Sequence, residues 1–305
     1  MRIGITGATG FIGQYLIQMY GDKYDFVAIT SKENTDMFCQ LAKYVKAEYK
    51  ISNFEEIFDG CDAVIHLGGK VMYGMDSSME VSGYVENLEL CENVFRACNN
   101  IGIKNIVFTS SVAVYDQENP NPVSENGECQ PNSMYGVMKI AAEKIAEIYN
   151  RKYDMFIKTL RVGQVLGLRE HLDTSQFWDK LLVDASNQKP LCIYGKGVTG
   201  RDVIYVKDVV RALILAVEKN DLKGIYNIGT GHICTNLELA ETYKKVLDNI
   251  SVIKFLSEKK ETGIQTCMNC QKAEAELGFK AEYDTEAMIR DIVSIYLKDY
   301  KQQIE

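Results

Sequence analysis

Tyr135 and Lys139 stand four residues apart in the run Tyr135-Gly136-Val137-Met138-Lys139, where a stretch of helical period begins. That spacing sets a phenol and an ammonium on one face of a helix. A tyrosine hydroxyl, with an ordinary pKa of about 10, is a poor base at neutral pH. A neighbouring cation stabilises the phenolate and brings it closer to acid–base use. A pair at this spacing is common and means little alone. Here it follows an apolar strand ending Phe108-Thr109-Ser110-Ser111, whose tip would face the same crevice. Ser111, Tyr135 and Lys139 are therefore the candidate catalytic set.

A second local signal lies at the N-terminus, in Ile5-Thr6-Gly7-Ala8-Thr9-Gly10-Phe11-Ile12-Gly13. Three glycines recur at intervals of three, directly after a strand and opening a helix. Gly7 permits the tight turn, Gly10 lets backbone approach a pyrophosphate, and Gly13 allows close helix–strand packing. The phosphates of a dinucleotide, NAD or NADP, would sit on the free N–H groups of the helix N-terminus. At the end of the second strand a carboxylate would bind a ribose diol. This chain has Thr30-Ser31-Lys32 instead, which suits a 2′-phosphate better and leans toward NADP. The plainer reading makes Lys32 a solvated surface lysine.

These residues need a scaffold, and the first half supplies strand and helix in alternation. Short β-branched runs at 2–6, 26–30, 63–67, 105–109 and 156–162 alternate with helical periods at 11–20, 80–98 and 133–151. Continuous apolar strands joined by helices imply a doubly wound parallel α/β sheet of the Rossmann kind, with ligands at the carboxyl ends of its strands. Residues 1–162 are expected to form the dinucleotide-binding domain, with strands returning from about 203–228. Residues 163–305 are expected to build a smaller substrate-binding lobe. In that half a helix at 176–186 precedes a Gly-rich turn at 195–200, a strand at 203–206, a helix at 209–217, a strand at 224–228 and three further helices.

Composition narrows the partners. The 305 residues are 46% hydrophobic and 25% charged, with a net charge of −8. Such acidity argues against nucleic acid or an anionic membrane, so an anionic ligand must be held by a few placed cations or by backbone N–H groups. Nine cysteines, scattered through apolar runs, read as reduced thiols. Cys267 and Cys270 have CxxC spacing, but no second pair accompanies them and the chain has three histidines in all, so no metal is expected. The opening MRIGITG is already a strand and no apolar run could span a bilayer, which points to a cytoplasmic protein.

The whole chain resembles the extended short-chain dehydrogenase/reductases, in particular the NAD(P)-dependent epimerase/dehydratase family. The matching pieces are TGATGFIG, AVIHLGG (63–69), Asn87, FTSSVAVY (108–115), PNSMYGVMK (131–139), LRVGQVLG (160–167), GKGVTGRDVIYVKDVVRA (195–212) and GIYNIGTG (224–231). The resemblance implies that Ser111 hydrogen-bonds the reacting oxygen, that Tyr135 is the acid/base, and that Lys139 holds the nicotinamide ribose and tunes Tyr135. It places Gly7, Thr9, Gly10, Phe11, Ile12, Gly13, Thr30, Ser31, Lys32, Leu67, Gly68, Gly69 and Asn87 around the cofactor. His66 either belongs to the segment under the cofactor or is a packed strand-end residue. Arg201 is similar to the arginine that grips a substrate diphosphate, and Arg161 to a structural strand-end residue. The family usually pairs through the helix carrying Tyr135 and the long helix before it, so a homodimer is expected.

Three departures bear on function. Val112 and Ala113 stand where the family's dehydratases carry an Asp-Glu pair, which speaks against 4,6-dehydration. Gln164 replaces an asparagine at the substrate side. The C-terminal arginine that binds the diphosphate reads Glu261, and a carboxylate about 4 Å from a phosphate costs on the order of 4 kcal/mol at an effective dielectric near 20. Either Lys259 or Lys260 takes its place, or the substrate is not gripped there as a diphosphate. The leading expectation is a nucleotide-sugar 4-epimerase, with Ser111, Gln164, Arg201 and Lys260 toward the substrate. An NADPH-dependent reductase of a keto sugar or other carbonyl is the alternative, and a non-catalytic dinucleotide sensor the third.

Overall fold

Strands that are apolar from end to end must be covered on both faces, and the chain answers with helices on each side of one sheet. The computed structural model describes residues 1–31, 40–69, 81–116 and 118–302; Lys32 lies outside the described residues. The first half runs β1 (Arg2–Thr6), α1 (Phe11–Tyr20), β2 (Asp25–Thr30), β3 (Lys43–Lys46), α2 (Ile51–Phe58), β4 (Ala63–His66), α3 (Val81–Asn100), β5 (Asn105–Ser111), α4 (Met134–Lys152) and β6 (Phe156–Val162). The second half adds β7 (Gln164–Leu166), α5 (Phe177–Ser186), β8 (Leu191–Tyr194), β9 (Gly200–Tyr205), α6 (Val206–Glu218), β10 (Gly224–Ile228), β11 (Ile233–Thr235), α7 (Asn236–Val246), β12 (Ile253–Leu256), β13 (Gln265–Thr266) and α8 (Thr285–Gln302).

Seven parallel strands form the main sheet in the order β10-β6-β5-β4-β1-β2-β3. The order reverses between β1 and β4, and such a switch point opens a crevice at the carboxyl ends of the strands. One face packs on α1 and α6 through Leu16, Ile17, Val209 and Leu213. The other packs on α2, α3 and α4 through Phe54, Val94, Phe95, Ala142 and Ala146. The doubly wound α/β fold expected from the apolar runs is the fold observed.

Of the strands expected to return to this sheet, β10 does so beside β6, whereas β9 does not. β9 is the centre of a separate sheet with β11, β13 and β7. Its Val203 and Tyr205 are buried in a third core with Leu181, Leu191 and Leu239, so the C-terminal lobe satisfies their apolar faces. Three helices were expected after Ile228. Two are α7 and α8, and in place of the third stands a five-residue π turn, Ala273–Leu277, ended by Gly278 at φ 74°.

Lys158, in the middle of β6, is completely buried. Its Nζ donates to Asn105 Oδ1 and to the Lys219 carbonyl, each at 2.6 Å, tying the lower edge of the sheet to the end of α6. Burial pushes its pKa down from 10.5 to about 7, against the opposing charge of Asp221. Between those values the unfolded chain holds a proton that the folded chain does not. Stability therefore rises with pH across that window, by at most about 1.4 kcal/mol per pH unit. Denaturant unfolding from pH 7 to 9.5 should show this slope in the parent and not in Lys158→Met. Parallel curves for the two proteins would exclude it.

Candidate active site

The Gly-rich turn has the shape that a pyrophosphate requires. Gly7 adopts φ 74°, and a Cβ there would lie 2.7 Å from both the Gly68 nitrogen and the Leu67 carbonyl carbon. A Cβ on Gly13 would lie 2.4 Å from the Gly7 oxygen, so glycine lets α1 close onto the turn. Gly10 is the N-cap of α1, with no side-chain cap and no acid in the first turn. The first N–H groups are thus left to an external anion. A dinucleotide fits this cradle.

The floor of the crevice is built by β1 and β4. Gly68 N–H donates to Thr6 Oγ1 at 3.0 Å, and Thr6 Oγ1 lies 2.6 Å from His66 Nδ1. The Thr6 hydroxyl thus bridges the Gly68 N–H and the His66 ring, whose Nε2 lies 3.3 Å from Cys91 Sγ. Burial first, and the charge of Lys139 second, push the His66 pKa down to about 3. The ring is neutral and stacks on Phe108 at 5.6 Å. His66 is a packed, buried residue at the end of β4, and Thr6 Oγ1 links its ring to the Gly68 N–H of the 67–69 segment. Asn87, buried on α3, lies behind that segment, its Oδ1 3.4 Å from where a Cβ on Gly69 would stand. Thr30 is buried and Ser31 exposed at the tip of β2.

The three candidate catalytic residues lie around the end of β5. Ser111 closes the strand, and its Oγ accepts from Ala113 N–H at 3.2 Å as the chain turns through a single 3-10 turn at 112–114. With that bond accepted, the hydroxyl proton is free to donate outward. Ser133 caps α4 by accepting from Gly136 N–H at 3.2 Å. A Cβ on Gly136 would stand 2.3 Å from the Ala113 oxygen, so the first turn of α4, with Tyr135, lies directly on the turn after Ser111. Lys139 Nζ donates to the Thr109 carbonyl at 2.8 Å and sits 5.7 Å from the Tyr135 ring centre.

Beneath these residues is a buried polar node of Arg161, expected as a structural strand-end residue, and Glu143, which the sequence reading did not single out. Glu143 and Arg161 are 1% and 3% exposed. Arg161 donates to both carboxylate oxygens, at 3.0 and 2.7 Å, and Ser110 Oγ donates to Glu143 Oε1 at 2.5 Å. α4 is thereby bolted to β5 and β6 one helical turn beyond Lys139. Arg169 also escaped the sequence reading. Its guanidinium stands 5.1 Å from the Phe11 ring centre, which brings a cation to the first turn of α1.

On the substrate side, Gln164 is half-buried on β7, paired in register with Val203. Arg201 is exposed on β9 between Cys234 of β11 and Thr266 of β13. Neither Asp202 nor Asp208 pairs with it. Asp202 accepts from Thr230 N–H and Oγ1, Gly231 N–H and Met268 N–H. Asp208 accepts from Arg211, Glu282 N–H and Tyr283 N–H. Among the described residues the Arg201 guanidinium has no hydrogen-bond or ion-pair partner. The protein around it displaces enough solvent to push its pKa down, with no anion to counter the effect. Lys260 is exposed, and Glu261 turns its carboxylate onto the 195–199 turn. No group of three or more His, Cys, Asp or Glu among the described residues could hold a metal, and no helix among them is long and apolar enough to cross a membrane.

Fold and site together define a dinucleotide-dependent enzyme of the short-chain dehydrogenase type. The sequence model of the NAD dependent epimerase/dehydratase family matches residues 3–229, and the chain belongs to that family. It is 30% identical over 304 residues to a Methanocaldococcus jannaschii protein whose name provisionally makes it a UDP-glucose 4-epimerase, covering 95% of this chain and 96% of that one. The crystal structure of UDP-N-acetylglucosamine 4-epimerase from Bacillus cereus is similar over 97% of this chain and 99% of its own, with a TM-score of 0.85 and 27% identity. That of UDP-N-acetylglucosamine 4-epimerase from Methanobrevibacter ruminantium, in complex with UDP-N-acetylmuramic acid, is similar over 98% of each chain, with a TM-score of 0.86 and 25% identity.

Proposed function

We propose that the protein is a UDP-sugar 4-epimerase that uses Ser111, Tyr135 and Lys139 for proton handling. The observation that carries this reading is the meeting of these three residues at the tip of β5, beside a cradle shaped for a dinucleotide. Bound NAD or NADP would supply the hydride acceptor and donor. Tyr135 takes the proton of the sugar C4 hydroxyl as C4 is oxidised and returns it after the 4-keto sugar has turned its other face. Ser111 donates its free proton to that oxygen, and Lys139, held by the Thr109 carbonyl, stabilises the Tyr135 phenolate. Val112 and Ala113 offer no second acid or base, so the reaction stops at inversion. Arg169 and the N-terminus of α1 would hold the pyrophosphate of the cofactor. Arg201, and Gln164 nearer the sugar, face the substrate.

The test is direct. Purified protein incubated with UDP-glucose or UDP-N-acetylglucosamine, without added cofactor, should form the 4-epimer by proton NMR. Denaturation should release a nicotinamide dinucleotide, NAD or NADP. If a product forms only with stoichiometric consumption of added NADPH, the protein is a carbonyl reductase instead.

Arg201 is the grip on the substrate diphosphate. A guanidinium binds such oxygens through two parallel hydrogen bonds. Arg201→Ala should raise KM for the UDP-sugar roughly ten- to hundredfold, as expected for charged hydrogen bonds. Melting temperature and cofactor affinity should stay near the parent values, because among the described residues Arg201 has no partner to strand. A fall in stability with unchanged KM would make Arg201 structural.

The protein works as a homodimer in the cytoplasm. The outer faces of α3 and α4, with the C-cap of α4, leave Val85, Val137, Ile148 and Tyr153 exposed, and a second copy would cover them across a two-fold axis. The stripe Ile140, Lys144, Glu147 and Arg151 is mixed: Lys144 and Glu147 pair with each other at 3.0 Å. Sedimentation at tens of micromolar should give a dimer that Ile148→Glu dissociates; a parent monomer would refute it.

A further inference from the structure

Residues 195–199 form a cradle of backbone N–H groups, filled by a carboxylate from the chain itself. Lys196 and Gly197 N–H donate to Glu261 Oε2 at 2.9 and 3.1 Å, and Thr199 N–H donates to Oε1 at 2.6 Å. Two left-handed glycines shape the bend, Gly195 at φ 56° and Gly197 at φ 74°. A Cβ on Gly195 would stand 2.6 Å from Glu261 Oε2, so the turn has closed around this carboxylate. Desolvation opposes the charge, but the donors outweigh it and hold the carboxyl below the ordinary range. Successive N–H groups converging on one point make an anion site of the kind that binds phosphates.

The strap between Glu261 and Arg201 is continuous. Gly263 N–H donates to Thr199 Oγ1 at 3.0 Å, and Gly200 N–H donates to the Ile264 carbonyl at 2.9 Å. Gln265 and Thr266 then pair in register with Gly200 and Arg201. The backbone that carries the one substrate-side arginine is therefore fixed at its start by the carboxylate and alongside by the segment behind it.

We propose that Glu261 is an internal anion that sets the 195–199 turn and so positions Arg201 on the substrate diphosphate. This rests on Arg201 being that grip. Glu261 is a positioning residue: it touches neither substrate nor cofactor. Its charge is taken up by three N–H groups and does not face the phosphates, so a carboxylate here is compatible with a diphosphate substrate. The chain thus holds the diphosphate with a single arginine whose direction is set by an acid.

The experiment measures the affinity of the protein, as purified with its cofactor, for uridine diphosphate by calorimetry. Glu261→Ala should bind it roughly tenfold more weakly, the order expected when one charged hydrogen bond is lost. Cofactor content should be unchanged. Sodium formate, compared with chloride at equal ionic strength, should restore affinity to Glu261→Ala by placing a carboxylate in the emptied cradle. It should give no gain in the parent or in Arg201→Ala. Glu261→Gln, which keeps an acceptor but no charge, should fall between parent and Glu261→Ala. Parent-like affinity in Glu261→Ala, alongside a loss in Arg201→Ala, would overturn the positioning role and leave the grip intact. A loss in Glu261→Ala that formate does not repair would also overturn it. Parent-like affinity in Arg201→Ala would instead remove the grip on which the inference rests.

Discussion

Tyr135→Phe lowers kcat for epimerisation by roughly 10²–10⁴, the range for a lost general acid/base, and leaves cofactor affinity nearly unchanged. The substitution removes one oxygen and keeps the ring, so the contact with Lys139 and the packing of the first turn of α4 persist. In the proposed mechanism Ser111 would still donate to the substrate oxygen, and KM should therefore move little. The loss belongs to the transition state because the phenolic oxygen matters only while the C4 proton moves. Single-turnover measurement on the UDP-sugar, with cofactor content checked after denaturation, separates this from a binding defect. Near-normal turnover in Tyr135→Phe would assign the proton to another group and end the mechanism given above.

Legibility in the sequence followed the range of the interactions. β1, β6, β10 and α1 were bounded to the residue, since a strand buried on both faces is a continuous apolar run. β3 and α2 were not anticipated. β3 is the short edge strand Lys-Tyr-Val-Lys, exposed at both lysines, and α2 buries only Phe54 and Phe58 in eight residues. In the C-terminal lobe, β13 pairs with β9 and β12 with β8. Those pairings join segments some sixty residues apart, and no local period encodes them. The separate sheet around β9 was missed for the same reason.

The site divides along the same line. The Gly-rich turn and the Tyr135–Lys139 pair are local motifs and were visible. That Arg201 has no partner among the described residues depends on where Asp202 and Asp208 send their carboxylates, which only the fold reveals. Arg169 sits in an irregular stretch with no pattern around it. Glu143 did leave a signal. It lies four residues after Lys139 and eight after Tyr135, an acid on the helix face turned toward the sheet, and a buried acid demands a cation. Arg161, inside the apolar run of β6, is that cation.

The Glu143–Arg161 pair carries the largest expected effect on stability. Glu143→Leu leaves a buried guanidinium without its anion and Ser110 without its acceptor. Removing one partner of such a pair costs about 3–5 kcal/mol. At roughly 2 °C per kcal/mol, the low end for large domains, melting should fall by about 6–10 °C. Arg161 keeps its bond to the Glu125 carbonyl and its place over the Tyr115 ring, so the loss is not complete unfolding. Adding Arg161→Met removes the stranded charge, and the double variant should recover much of the stability, because apolar groups of similar volume often replace a buried pair at little cost. Turnover should recover less. The pair also fixes α4 against β5 and β6, one turn beyond Lys139, and a looser fit there alters the approach of Tyr135 to Ser111. The double-variant cycle, read by both unfolding and kcat, distinguishes the two contributions. A single variant within about 1 kcal/mol of the parent, inside the common spread of point substitutions, would show that the node does not anchor the helix.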